Sequence, residues 1–351
     1  MKIGVLTSGG DAPGMNAAIR TVVKTAVSLG HTVSGIRNGY EGLLDGQAEP
    51  LPLTVVDGLS RLGGTVLGSA RSKRFPTEEG QRQAVEQIGV MGLDALVVIG
   101  GNGSLTGAHV LAQRQPCPII GLPASIDNDI GFTRLSIGVD TAVNTIVEAC
   151  DRISDTAAAH RRAFVVEVMG RHCGYLAMRA GIAADADAIL FAEAGLDRDA
   201  ILVKLKMLLD RSFTEERGKL RLLVVKAEGV AVSSRELVQV MQEHVDRHIP
   251  GVSVRETVLG HVVRGGAPSA LDRLIAQRLA GGAVLALLNG AHDEMMAWDS
   301  PPVGRETRDP SVRRIPLDVV LTETKAMLDG TSPAMKGRVA LLNEAESILA
   351  L

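Results

Sequence analysis

Short, nearly unbroken apolar runs punctuate the chain at residues 3 to 8 (IGVLTS), 94 to 99 (DALVVI), 118 to 122 (PIIGL), 163 to 168 (AFVVEV) and 220 to 226 (LRLLVVK). Runs of this length without polar alternation suit strands buried on both faces. Between them lie amphipathic stretches of helical length, among them 16 to 29, 104 to 114 and 140 to 156. The alternation predicts βαβ units around parallel sheet, an α/β fold. No low-complexity segment divides the chain, so a domain boundary must fall at a turn inside the pattern, and we place one near Gly138. Residues 293 to 309, which include PPVGRETRDP, read as a surface loop, and the tail from Leu317 onward reads as helical.

A length of 351 residues allows two compact lobes or one large α/β domain. Lys and Arg together number 37 against 40 for Asp and Glu, so the chain lacks the basic excess of a nucleic-acid binder. Cys117, Cys150 and Cys173 have neither CxxC spacing nor an even count, which argues against a disulfide framework and a zinc site and fits a reducing compartment. The apolar stretch opening MKIGVLTSGGDAPG is too short for a signal peptide, and no run reaches membrane-spanning length. The expectation is a cytoplasmic protein that binds neither membrane nor nucleic acid.

Glycine changes the picture more than charge does. There are 39, and they recur directly after the apolar runs. Gly9-Gly10-Asp11-Ala12-Pro13-Gly14 joins the first predicted strand to the first helix, where backbone N–H groups can face an anion; a tight turn with no ligand explains this loop alone equally well. A second loop, Gly100-Gly101-Asn102-Gly103-Ser104, stands in the same relation to a later strand and helix. Two such cradles suit a polyphosphate. Neither completes a GxGxxG fingerprint, because the third glycine falls one residue late at Gly107, so a dehydrogenase is disfavoured.

The segment Ser125-Ile126-Asp127-Asn128-Asp129 places two acids two residues apart beyond a predicted strand, where open α/β sheets bind ligands. An extended pair at this spacing faces one way, so one carboxylate could take a proton from an attacking hydroxyl while the other orients it or a hydrated magnesium ion. An Asx-rich turn is the competing reading. Phosphoryl transfer needs positive charge near the phosphates. Arg71, Arg161, Arg162, Arg171, Arg255 and Arg264 are suited to forked phosphate contacts, and several stand beside glycines. His261 could reach a sugar hydroxyl or phosphate, or be a satisfied core histidine. His244 and His248 have the i, i+4 spacing of a metal pair but sit in EHVDRHIPG without an HExxH pattern, so no zinc is expected.

Taken together, TSGGDAPGMNAAIR, GGTVLGSAR, GGNGS, ASIDNDI, VEVMGRHCGYLA and ETVLGHVVRGGAP occur in an order and spacing that resemble the bacterial phosphofructokinases over roughly residues 1 to 290. The resemblance implies two α/β sandwich domains with mainly parallel sheets. Residues 1 to 138 with about 265 to 315 would bind nucleotide, and 139 to 264 with the C-terminal tail would bind sugar phosphate and form the subunit interface. It implies ATP and Mg2+ as cofactors, with ATP contacts at Gly9, Gly10, Arg71, Ser72, Asn102, Gly103 and Ser104. The catalytic group would be Asp127 as general base with Ser125 and Arg171. Fructose 6-phosphate would meet Asp129, Met169, Gly170, Glu228, His261 and Arg264, with Arg162 and Arg255 supplied by a neighbouring subunit. The protein would therefore be an oligomer, a homotetramer by resemblance.

Several positions depart from the family pattern. Asn102 stands where an Asp usually helps hold magnesium, and a neutral amide is a poorer ligand for a hard cation; Asn102 can still coordinate through its carbonyl, and Asp11, Asp127 or Asp129 could hold the hydrated ion instead. Pyrophosphate-dependent relatives carry an Asp where Gly103 stands and a Lys where Ala124 stands, so ATP is the expected donor. Ser125 replaces the usual Thr. At the regulatory nucleotide site Arg20, Asp187, Arg217 and Lys219 match, Lys24 keeps one charge, and Ser154 replaces an Arg, which implies weakened or altered allosteric control. The alternatives are a pyrophosphate-dependent or other sugar-phosphate kinase and a non-catalytic regulatory paralogue.

Overall fold

The computed structural model describes residues 1–114 and 117–349. It divides into two compact units, one formed by Met1–Thr141 with Arg264–Met327 and the other by Ala142–Val263 with Leu328 onward.

Strands β1 (Lys2–Ser8), β2 (Thr32–Ile36), β3 (Ala48–Pro50), β4 (Ala95–Gly100) and β5 (Ile119–Pro123) belong to the first unit. In the second unit lie β6 (Arg162–Val168), β7 (Ala188–Leu190), β8 (Arg221–Ala227) and β9 (Ser253–Val258). The chain then returns to the first unit for β10 (Glu294–Trp298), β11 (Arg305–Glu306) and β12 (Val312–Pro316).

The first sheet runs β11-β12-β10-β5-β4-β1-β2-β3. Its middle is parallel, with β1 between β2 and β4 and β5 following β4. Every residue of β4 and β5 is buried, the pattern of strands covered by helices on both faces. Antiparallel pairs close both margins, β2 with β3 and β10 with β12. The helices Met15–Ser28, Asn102–Ala112 and Ala270–Leu288 follow the glycine turns or flank the strands they pack against.

The stretch from 293 to 309, expected as loop, instead opens with β10. Met295, Met296 and Ala297 are fully buried there between β5 and β12. Methionine favours helices and charges flank the run, so local propensity hid a strand whose pairing partners lie far away in sequence. The remainder of that stretch is loop apart from the short β11.

The second sheet is wholly parallel in the order β7-β8-β6-β9, and Val168 of β6 registers with Ala227 of β8. The C-terminal segment forms the helices Leu317–Leu328 and Pro333–Leu349. Among the described residues no helix is long and apolar enough to cross a membrane.

Candidate active site

The first glycine turn leaves β1 with Gly9 at φ 85° and Gly14 at φ 111°, both in the left-handed region that a side chain disfavours. Space is as restrictive as backbone conformation here. A Cβ on Gly10 would lie 2.3 Å from Arg264 Nη1, and that guanidinium donates to the carbonyl of Asp11 at 3.3 Å. The fold thus sets Arg264 against the first glycine turn. Behind the turn, Asp272 is fully buried and accepts from Gly138 N at 2.8 Å, Thr141 N at 2.7 Å and Thr141 Oγ1 at 2.5 Å. Burial raises the Asp272 carboxyl above its ordinary value, while the Thr141 and Gly138 donors pull the other way.

Asn16, in the first turn of the following helix, holds the segment that leads to Arg71. Its amide donates to Leu62 O at 3.3 Å and Gly63 O at 3.0 Å, and its oxygen accepts from Val66 N at 2.7 Å. Farther on, Ser69 Oγ donates to Gly9 O at 2.5 Å, and Ser72 Oγ accepts from Phe75 N at 3.0 Å. Arg71 itself is exposed. The predicted group of Gly9, Gly10, Arg71 and Ser72 therefore sits on one connected scaffold.

The second glycine turn begins the helix Asn102–Ala112. Gly101 provides no side-chain cap, so the first amides of that helix are offered to whatever lies in front of it. A Cβ on Gly103 would meet nothing within 4 Å, whereas one on Gly100 would lie 2.5 Å from Ser104 Oγ. A Cβ on Gly101 would stand 3.5 Å from the Cβ of Ser125, which puts the acidic turn beside this helix start.

In the acidic turn, Ile126, Asn128 and Ile130 are buried while Ser125, Asp127 and Asp129 are half-buried. The alternation resembles a strand, but the backbone is a turn. Asn128 has φ 50° and anchors the loop by donating to Arg134 O at 3.1 Å and accepting from Ser136 N at 2.9 Å. The extended acid pair read from the sequence is thereby replaced by a turn that leaves both acids half-buried, closed on its near side by the Ser125 hydroxyl two residues before Asp127. Ser125 Oγ contacts Asp129 Oδ1 at 3.3 Å and accepts from Asp127 N at 3.3 Å.

In the second unit, Met169, Gly170 and Arg171 follow β6, Glu228 follows β8, and His261 follows β9 in a short 3-10 turn. All three strands are parallel neighbours, so these residues share the carboxyl edge of one sheet. Beneath that edge Lys226 is 1% exposed and donates to Glu167 Oε2 at 3.0 Å and Ala227 O at 3.2 Å. Ser234 Oγ donates to the same Glu167 oxygen at 2.5 Å. Arg162 opens β6 at the opposite end, about 20 Å from Met169 at the usual strand rise. Arg255 registers with Phe164 inside β9 and donates to its neighbour Val254 O at 2.8 Å. Neither arginine joins the carboxyl-edge group within this unit.

The amino-acid sequence then decides the family. The phosphofructokinase profile matches residues 2–287. The chain belongs to the phosphofructokinase family. It is 47% identical over 297 residues to the ATP-dependent 6-phosphofructokinase of Thermotoga neapolitana, covering 84% of this chain and 89% of that one. The ATP-dependent 6-phosphofructokinase 1 of Thermus thermophilus is 46% identical over 296 residues, covering 84% and 88%. Among solved structures, phosphofructokinase from Saccharomyces cerevisiae superposes with TM-score 0.86 at 34% identity; it covers 99% of this chain, which spans half of the yeast chain. The pyrophosphate-dependent phosphofructokinase from Marinobacter aquaeolei shares the fold at TM-score 0.75 and 22% identity.

Three positioning groups escaped the motif reading: Asp272, Lys226 and Tyr40, whose hydroxyl donates to Ser104 O at 2.6 Å. The spacing of Ser269 and Asp272 carried a capping signal, since Ser269 Oγ accepts from Asp272 N at 3.1 Å. Lys226 and Tyr40 had none, because their partners are remote in sequence. Of the expected regulatory residues, Asp187 is buried and held by Lys219, by Leu223 N at 2.8 Å and by Arg221 at 3.9 Å.

Proposed function

We propose that the chain transfers the γ-phosphoryl group of ATP to the 1-hydroxyl of fructose 6-phosphate, giving ADP and fructose 1,6-bisphosphate, as a glycolytic kinase. The observation that carries the reading is the juxtaposition of Ser125, in the acidic turn, with Gly101 at an uncapped helix start. A base and a phosphate cradle thus share one end of the first sheet.

In this reading Asp127 accepts the proton of the attacking sugar hydroxyl, and Ser125 and Asp129 orient it. The amides of Gly10, Asn102 and Gly103, with Ser104, Arg71 and Ser72, hold the donor's phosphates. Arg171 stabilises charge on the transferring group. Met169, Gly170, Glu228, His261 and Arg264 bind the sugar phosphate, and Arg162 and Arg255 serve the site of a neighbouring subunit. The 20 Å scale of the gap between Arg162 and Met169 supports that sharing.

Two neighbouring carboxylates fit a hydrated Mg2+, which typically keeps several waters and completes its shell with substrate phosphates. Asp127 and Asp129 would hold it, with the Asn102 carbonyl a weaker third donor. The ion would supply neutralisation of phosphate charge. ATP is favoured over pyrophosphate because Gly103 opens on free space and Ala124 brings no charge.

The test offers ATP or pyrophosphate with magnesium and fructose 6-phosphate and follows fructose 1,6-bisphosphate, with Asp127→Ala as the blank. Turnover with ATP alone is the expected result. Turnover with pyrophosphate alone would reassign the donor, and wild-type product no higher than the blank with either donor would overturn the reading.

A further inference from the structure

The loop Gly170–Gly174, which carries Arg171, is fastened at several points. Gly170 takes φ 125°, and its carbonyl accepts from Cys173 N at 3.2 Å. A Cβ on Gly229 would lie 1.9 Å from Arg171 O, so the Arg171 backbone rests directly on that glycine. The far end is Gly174, which precedes the helix Tyr175–Ala183 and has no side chain with which to cap it.

The missing cap comes from another element. Glu193, in the 3-10 turn Ala192–Ala194 just beyond β7, accepts from Gly174 N through Oε1 at 2.7 Å. A carboxylate at this position satisfies an orphan amide and complements the positive end of the helix. Its other oxygen, Oε2, is buried without a donor among the described residues, and a Cβ on Gly174 would come within 3.0 Å of it. Glu193 also shares with Arg171 and His172 the wall of an open cavity of about 540 Å³, which Met335 and Lys336 of the C-terminal helix line as well. The carboxylate of a separate element thus ties down the end of the loop that carries Arg171.

We propose that Glu193 is a positioning residue for the phosphoryl transfer: by capping Gly174 it fixes the Gly170–Gly174 loop so that Arg171 meets the transferring group. The kinetic half rests on the function proposed above. A displacement on the order of 1 Å at a group that acts in the transition state can cost about 100-fold in rate, so the effect belongs in kcat.

The experiment compares the full-length wild type with Glu193→Ala, Glu193→Asp and Glu193→Gln. It measures kcat, both KM values and the hydrogen-exchange rate of the Gly174 amide. Gln keeps a carbonyl at the capping position, whereas Asp keeps the charge but is one methylene short. Glu193→Ala and Glu193→Asp are expected to lose about 10- to 100-fold in kcat with little change in the KM for ATP, and to exchange Gly174 faster. Glu193→Gln is expected to recover most of kcat and of the protection. If Ala does not fold, Asp carries the comparison. Unchanged Gly174 exchange in Glu193→Asp, unchanged kcat, or a Gln variant as slow as Asp would each overturn the proposal. A wild type without turnover would instead sink the proposed function and the kinetic role with it, while the exchange rates would still decide whether Glu193 holds the loop.

Discussion

The hydroxyl of Tyr40 donates to the carbonyl oxygen of Ser104 at 2.6 Å across 64 residues of sequence. Burial pushes the Tyr40 phenol far above its ordinary range, so it stays a neutral donor at any working pH. Its ring stacks on Phe75 at 4.1 Å and fills the space where a Gly107 side chain would stand, 2.7 Å from the ring. One aromatic thus fixes the second glycine turn from below.

Tyr40→Phe is expected to keep the stacking and lose the hydrogen bond, leaving the Ser104 carbonyl with its helical partner alone, at a cost of about 0.5–1.5 kcal/mol in chemical denaturation. Gly107→Ala drives a methyl into the ring and should cost more, since neither backbone nor ring can retreat in a packed core. Equal stability of Tyr40→Phe and wild type would show that the bond adds nothing net.

Asp272 and Asp309 should push the pH dependence of stability in opposite directions. The Asp272 carboxyl is raised in the folded state, so the native protein holds that proton more tightly. Its contribution is present below the ordinary value of 3.8 and is lost as pH rises through the raised value. Asp309 is lowered, first by its hydrogen bond to Arg278, so its contribution is present above 3.8 and is lost as pH falls through the lowered value. Unfolding free energies across the acidic range should show Asp272→Asn falling further behind wild type as pH drops. Asp309→Asn should draw level with wild type over the same range, by a small amount because the pair is partly exposed.

The Cys150 thiol is pushed up to about 12, chiefly by burial with Asp151 adding and Arg221 opposing. A thiol held protonated is a poor nucleophile. At pH 8 a thiol-disulfide reagent should label the half-buried Cys117 first and leave Cys150 and Cys173 untouched until denaturant is added. Labelling of all three in the native protein would show that the second unit opens readily.

If Arg162 and Arg255 serve a neighbouring subunit, Arg162→Ala and Asp127→Ala should each be inactive alone yet recover activity when co-expressed. Some mixed sites would then combine an intact Asp127 with an intact Arg162. Recovery absent from verified mixed oligomers would place both residues in the same protomer's site.

The sequence by itself determined the alternation of buried strands and helices, the two glycine turns after β1 and β4, and the family. These are local signals: unbroken apolar runs demand burial on both faces, and glycine after a strand marks backbone that a side chain would obstruct. Only the tertiary structure decided that Glu294–Trp298 is a strand, that the acids at Asp127 and Asp129 lie in a turn around a left-handed Asn128, and that Arg264 rests on Gly10. It alone joined Asp272 to Gly138, Tyr40 to Ser104 and Glu193 to Gly174. Each of these links pairs groups distant along the chain, and a buried polar group finds its partner through packing, which residue order does not display.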